Sequence, residues 1–300
     1  MSSFTMPRVA FGCWELPKGK VEEVVYEAIK AGYRHIDSAE IYGNEEEVGK
    51  AVARALAEKI VTRADLFICS KLWGTDWHKV RAACEKSIAA LQCEYIDLYL
   101  IHTSIGLDAA VPADANGKPA RAKIPVHRVW ADMESLVDAG LCRHIGVSNF
   151  SCLQIADMQT YASKPIACNQ LEVHPSYPNR ALADWCVSQG VAVVCYCPLG
   201  TGKGDLELPA LKAAGAGGPG AAASPALAAL RWALDKRYHV ITKSTNVERM
   251  KANLLADSDS WSLSPEHTAA IDAVSGKSSS VDLAFKICDH AEEFGLPMYN

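Results

Sequence analysis

No stretch of this chain approaches the ~18 unbroken apolar residues of a membrane-spanning helix, and its opening segment, Met1 to Val9, has no apolar leader core. A soluble, cytoplasmic protein is the expectation. Positive charge is in deficit: 30 Lys and Arg against 35 Asp and Glu give a formal net charge of −5, which predicts neither a nucleic-acid stripe nor a polybasic membrane patch. Paired cysteine motifs are missing too. The 11 cysteines are odd in number and scattered, and Cys195 and Cys197 have the spacing of neither a redox pair nor a zinc knuckle. Many, such as Cys69, Cys168 and Cys195, sit in apolar runs where a reduced thiol packs as a small hydrophobe. No metal is expected, because no cluster of His, Cys and carboxylate shows ligand spacing, and His35 and Asp37 are taken to face opposite sides of their strand.

What is present is a regular alternation. With 300 residues, 49% hydrophobic and 22% charged, the chain can bury one large core, and one domain spanning 1–300 is expected. Short apolar runs from Val9 to Phe11, Tyr33 to Ile36, Leu66 to Cys69 and Ile96 to Ile101 read as strands, with four more at 143–147, 166–169, 192–195 and 239–242. Between them, Val21, Val24, Val25, Ala28 and Ile29 recur at helical spacing, as do Val80, Ala83, Cys84, Ser87, Ile88 and Leu91. Further helices are predicted near 126–138, 152–159, 179–188, 224–236 and 247–254. Eight strands alternating with helices predict an α/β fold, a (β/α)8 TIM barrel with its active site at the C-terminal rim of the strands. Asp37, Tyr42, Lys71 and His102 each fall at or just beyond a strand end, so four proton-handling groups gather there. Each alone also has a plain reading, as an interface aromatic, a snorkelling lysine or a satisfied histidine.

Two segments break the rhythm. Residues 103–125 are too long for an ordinary connection and predict a functional loop at the rim. Residues 213–224 contain a formal GxGxxG at Gly215, Gly217 and Gly220, but Pro219 interrupts it, a helix-like run precedes it, and no acidic residue follows at ribose distance. A flexible connector is the reading preferred there. The tail, 277–300, is expected to cross the barrel mouth.

The segments HIDSAEIYGNEEEVGKAV (35–52), SKLWGTD (70–76), IDLYLIH (96–102), GVSNF (146–150), CNQLEVHP (168–175), YCPLG (196–200) and ITKSTNVERMKAN (241–253) resemble successive signatures of the aldo-keto reductase family. The resemblance implies NADPH-dependent reduction of aldehydes or ketones, with Tyr42 as general acid/base assisted by Lys71, Asp37 and His102. A phenol titrates near ~10 and needs a neighbouring cation to share its proton near neutrality. Lys71 would supply it, Asp37 would hold Lys71, and a neutral His102 would orient the substrate oxygen. The resemblance further implies that Tyr196 stacks on the nicotinamide, that Ser148, Asn149 and Gln170 hold its carboxamide, and that Leu199 lies in the cofactor site. It gives Lys243, Ser244, Asn246 and Arg249 to the 2′-phosphate and Asn253 to the adenine. Charged donors at a helix N-terminus suit a dianion.

Departures from the family pattern matter as well. Thr103-Ser104 stands where a bulky pair is usual, Ala252 where a glutamate is frequent, and Cys197 where a serine follows the stacking tyrosine. Trp14, Trp73, Thr103 and Phe150 are expected to line the substrate pocket, with Trp77 as a further apolar wall. The partner expected is a small carbonyl compound, with no nucleic acid and no membrane, and a monomer is favoured. Two other classes remain open: a nucleotide-binding sensor or structural relative without turnover, and an aldolase using Lys71 as a Schiff base.

Overall fold

The computed structural model describes residues 4–115, 117–202, 205–220 and 223–274. Eight parallel strands close into a barrel in sequence order: β1 Val9–Gly12, β2 His35–Asp37, β3 Phe67–Leu72, β4 Ile96–Ile101, β5 Cys142–Ser148, β6 Cys168–Glu172, β7 Ala192–Tyr196 and β8 His239–Thr242. Their near-continuous apolar character follows from burial on both faces. Ala10, Cys69, Leu98, Leu100, Val194 and Ile241 fill the lumen, while Phe11, Ile36, Ile68 and Tyr99 face the helical shell.

The shell consists of α1 Val21–Ala31, α2 Glu45–Ala57, α3 Val80–Ala90, α4 Val126–Asp138, α5 Cys152–Gln159, α6 Arg180–Ser188, α7 Pro209–Gly215, α8 Pro225–Asp235, α9 Val247–Leu254 and α10 Pro265–Asp272. Local chemistry sets several of their ends. Gly32 closes α1 in the left-handed region at φ 116°, its N–H reaching Ala28 O and Ile29 O. At the start of α8 the Ser224 side chain accepts from Leu227 N, with Pro225 in the first turn.

The structure changes three expectations. Strand β6 runs from Cys168 to Glu172, not 166–169, because its rim half is polar and hides from a search for apolar runs. His35 and Asp37 are two residues apart on one strand and therefore share a face: both point into the lumen, His35 packing against Phe67 and Asp37 bonding Lys71. The described part of 213–224 begins packed, with Ala214 and Gly215 buried at the end of α7, whereas Ala216, Gly217 and Gly220 are exposed. A Cβ at Gly215 would lie 2.4 Å from the Ser224 carbonyl carbon, so that glycine permits α7 and the start of α8 to touch. The segment from Thr103 to Pro125 is a closed excursion, with Leu107 and Arg121 bridged antiparallel, Ala122 N bonded to Gly106 O, and Leu107 N bonded to Gly74 O. The tail 277–300 lies outside the described residues.

The N-terminal mouth is stoppered by the segment before β1. Phe4 packs edge-on against Phe67 and His144 at 6.3 and 4.8 Å between ring centroids. His35 Nδ1 lies 3.3 Å from Pro7 O. Among the described residues all cysteines are free thiols, and no helix is long and apolar enough to cross a membrane.

Candidate active site

Parallel register brings the ends of β2 and β3 side by side, Asp37 level with Cys69, which leaves Lys71 one inward position further up. Lys71 is fully buried, and its ammonium meets three acceptors: Asp37 Oδ1 at 2.7 Å, Ser38 O at 2.8 Å and Tyr42 Oη at 3.1 Å. Three donors thus find three partners. The second oxygen of Asp37 accepts from Gln170 Nε2 at 2.8 Å. Tyr42 rides on a single 3-10 turn, Glu40–Tyr42, closed by Gly43 at φ 65°. His102 continues the β4 ladder through its N–H to Leu72 O, and its ring lies edge-on to Tyr42 and Trp73 at 5.8 and 5.2 Å. The four rim residues singled out in the sequence therefore converge on one spot.

Burial and pairing compete over their protonation. Burial alone would strip the Lys71 ammonium of its proton, but Asp37 and then Tyr42 outweigh it and raise its pKa. Tyr42 is pushed the other way from what a neighbouring cation alone would do. Burial raises its pKa, Lys71 pulls it down, Asp37 raises it again, and the net direction is up. The phenol therefore holds its proton at neutral pH.

A second cluster adjoins the first. Ser148 Oγ donates to Gln170 O at 2.9 Å, Asn149 Nδ2 donates to His102 O at 3.0 Å, and Tyr196 Oη donates to Asn149 Oδ1 at 2.9 Å. Asn149 stands in the left-handed region at φ 64°, which aims its amide back over β4. Gln170, expected at a carboxamide, is here bonded to Asp37, so it links this cluster to the buried lysine.

On the far side, Asn246 caps α9 by accepting from Arg249 N at 3.0 Å, and Ser244 Oγ accepts from Asn246 N at 3.0 Å. Lys243 and Arg249 are exposed beside that helix end. Lys243 donates to Trp14 O at 3.1 Å, and the Arg249 guanidinium makes no ion pair among the described residues. Asn253 is buried on the same helix. Of the four expected pocket residues, Trp14 is 37% exposed and Trp73 half-buried. Thr103 and Phe150 are wholly enclosed. The Thr103 hydroxyl donates to Ile105 O at 2.9 Å, Phe150 packs in the shell core with its backbone bonded to the Asn169 amide, and neither presents a side chain at the open rim. Trp77, 3% exposed, packs against the 103–125 excursion and is likewise no open wall.

Sequence reasoning missed a third group. His174 lies between Asp205 Oδ2 at 2.7 Å and Glu172 Oε1 at 3.3 Å, and Ser176 Oγ donates to the other oxygen of Asp205. Burial would lower the imidazole's pKa, but the two carboxylates raise it to about 9. The polar residues at the end of β6 and just beyond it were a signal for Glu172 and His174, whereas Asp205, 31 residues on from His174, gave none.

The sequence model of the Aldo/keto reductase family matches residues 8–275. The chain belongs to the aldo-keto reductase family. It is similar to a probable NAD(P)H-dependent D-xylose reductase of Aspergillus clavatus, 39% identical, covering 91% of this chain and 88% of that one. Dihydrodiol dehydrogenase 3 of Bos taurus is 38% identical over 90% and 88%. Among solved structures, the aldose reductase of Schistosoma japonicum superposes with a TM-score of 0.88 at 33% identity, covering 99% of this chain and 95% of its own. The aldose reductase of Giardia lamblia gives 0.88 at 34% identity, covering 98% of each. This aldo-keto reductase is thus a (β/α)8-barrel oxidoreductase of carbonyl chemistry.

Proposed function

We propose that this aldo-keto reductase reduces aldehydes or ketones to alcohols with NADPH, and that Tyr42 delivers the proton. The observation that carries the reading is the buried chain Asp37, Lys71, Tyr42, in which a fixed cation touches a phenol at the rim. In the reduction direction Tyr42 must hold a proton and release it as negative charge grows on the substrate oxygen. Burial satisfies the first requirement, and the adjacent ammonium, at 3.1 Å, steadies the phenolate that remains. Asp37 keeps Lys71 charged and in place, since a buried ammonium without a carboxylate tends to lose its proton. His102, edge-on to Tyr42, is placed to share the substrate oxygen.

The residues present fit a nicotinamide cofactor with a 2′-phosphate. Arg249 and Lys243 offer exposed cationic donors at the α9 N-terminus, with Ser244 and Asn246 beside them and Asn253 one turn further along. Ser148, Asn149 and Gln170 offer amides and a hydroxyl beside the Tyr196 ring, with Leu199 following on the same loop. When bound, NADPH supplies the hydride. A Schiff-base aldolase is disfavoured, because all three hydrogens of the Lys71 ammonium are engaged and its raised pKa leaves no free amine to attack a carbonyl. A non-catalytic nucleotide binder has no use for the Tyr42 contact.

Tyr42→Phe should lower kcat for aldehyde reduction by about two to four orders of magnitude, the usual weight of a general acid, and leave the Kd for NADPH unchanged. Retention of a tenth of the rate would sink the acid assignment. Arg249→Ala should raise KM for NADPH by about ten- to a hundredfold, the loss of one charged hydrogen bond, and hardly alter KM for NADH. Equal losses with both cofactors would show that Arg249 supports the fold and does not read a phosphate.

A further inference from the structure

Glu45 is the first residue of α2 and stands in an acidic run, Glu45, Glu46 and Glu47, that suits a helix N-terminus. Glu46 beside it is exposed and Glu47 half-buried, but its own side chain turns inward and is 6% exposed. Oε1 accepts from Ser70 Oγ at 2.5 Å, and Oε2 accepts from Ser87 Oγ at 3.0 Å. Both serines are completely buried, and no cation pairs with the carboxylate among the described residues. Burial raises the Glu45 pKa, against the two serine hydrogen bonds. A buried, unpaired carboxylate is costly unless its oxygens are well held, so this placement calls for a reason.

The chain on either side supplies one. Ser70 faces the helical shell from β3, and its neighbour Lys71 faces the lumen. Glu45 follows Tyr42 by three residues, the link being Gly43 and Asn44. Asn44 Nδ2 donates to Cys13 O at 2.8 Å, at the end of β1. The turn that carries Tyr42 is therefore bolted on two sides: by Asn44 to the rim of β1, and by Glu45 to the strand residue next to Lys71 and to α3. We propose that Glu45 is a positioning residue, holding the Tyr42 turn against β3 so that the phenol stays in contact with the Lys71 ammonium. Glu45 touches neither reacting atom. The inference rests on the reading of Tyr42 as proton donor.

Glu45→Ala should cut kcat for aldehyde reduction by about ten- to a hundredfold, the loss of charge-assisted hydrogen bonds that fix one geometry, while KM and Kd for NADPH stay within twofold. Because a looser Lys71 contact favours the phenolate less, the alkaline limb of the kcat profile should move to higher pH. Glu45→Gln, which still accepts from one serine and can donate to the other, should recover most of the rate. Ser70→Ala removes one of the two bonds with little change in volume, and should reproduce the alkaline shift in a protein that folds as the wild type does. Unchanged kcat and an unmoved pH limb in a folded Glu45→Ala or Ser70→Ala protein would overturn the proposal, as would an equal loss of NADPH affinity. Tyr42→Phe run alongside separates the failures: an active Tyr42→Phe defeats the proton-donor reading itself, whereas an inactive one beside a fully active Glu45→Ala defeats only the role of Glu45.

Discussion

At the C-terminal end of the barrel Lys71 is wholly buried and charged; at the N-terminal end His35 is buried as deeply and neutral. Burial opposes the charged form at both ends. At the rim Asp37 meets the ammonium at 2.7 Å and reverses the balance. At the stopper no carboxylate among the described residues touches the imidazole: Asp37 lies on the same face of β2, two residues up, and offsets only part of the burial that lowers the pKa to about 4. His239 and His144 are lowered for the same first reason, burial, and His35 Nε2 and His239 Nδ1 have no hydrogen-bond partner among the described residues. Depth does not decide whether a side chain keeps its charge; the first neighbour does. His174, with a carboxylate on each ring nitrogen, makes the same point from the opposite side.

The sharpest way to break this contrast is to remove one partner at the rim. Lys71→Met leaves Asp37 buried without its cation, which should cost roughly 3–5 kcal/mol of unfolding free energy and abolish turnover. Adding Asp37→Asn should restore most of the stability and none of the activity. A single variant as stable as the wild type in urea would show that the pair does not hold the charge in place.

The histidines give a smaller, pH-dependent effect. His35 has a depressed folded pKa, so its contribution is fully present above the unfolded value of 6.5 and is lost as pH falls through about 4. The loss amounts to ~3 kcal/mol at most. His35→Leu should flatten unfolding free energy against pH between 6.5 and 4, and a slope equal to that of the wild type would count against it. His174 reverses the sign. Its raised pKa makes its contribution fully present below 6.5 and lost as pH rises through about 9. Part of that pair energy already appears as the lowered pKa of Asp205, so His174→Gln should remove a shallower slope, on the alkaline side only. Titrating both variants in urea from acid to alkali tests the two windows together.

Most of the barrel was legible because its strands are apolar on both faces and its helices keep their period. Legibility failed where chemistry overwrites that pattern. The rim half of β6 is polar because Asn169 bonds the Phe150 backbone, Gln170 bonds Asp37 and Glu172 meets His174, so the strand looked shorter and earlier than it is. Asp37, Tyr42, Lys71 and His102 stood out as proton-handling groups at strand ends. Glu45 did not, because in a run of three glutamates nothing marks the one whose side chain turns inward. Thr103 and Phe150 were placed by neighbourhood in sequence, yet the local fold of the excursion encloses the first and shell packing the second. The partnership of His174 with Asp205 depends on how a loop folds back, which no period or motif encodes.

The excursion between Thr103 and Pro125 carries a consequence for redesign. Its stem is fastened to itself by the Leu107 and Arg121 bridge and to the barrel at Gly74, so its tip is not needed to hold the strands together. A loop closed by its own ladder tolerates exchange of its tip, because lengthening it adds little closure entropy. The stretch from Val111 to Asp114, exposed at that tip, can be treated as a cassette: grafted lengths and chemistries there should leave the buried lysine and phenol where the barrel puts them.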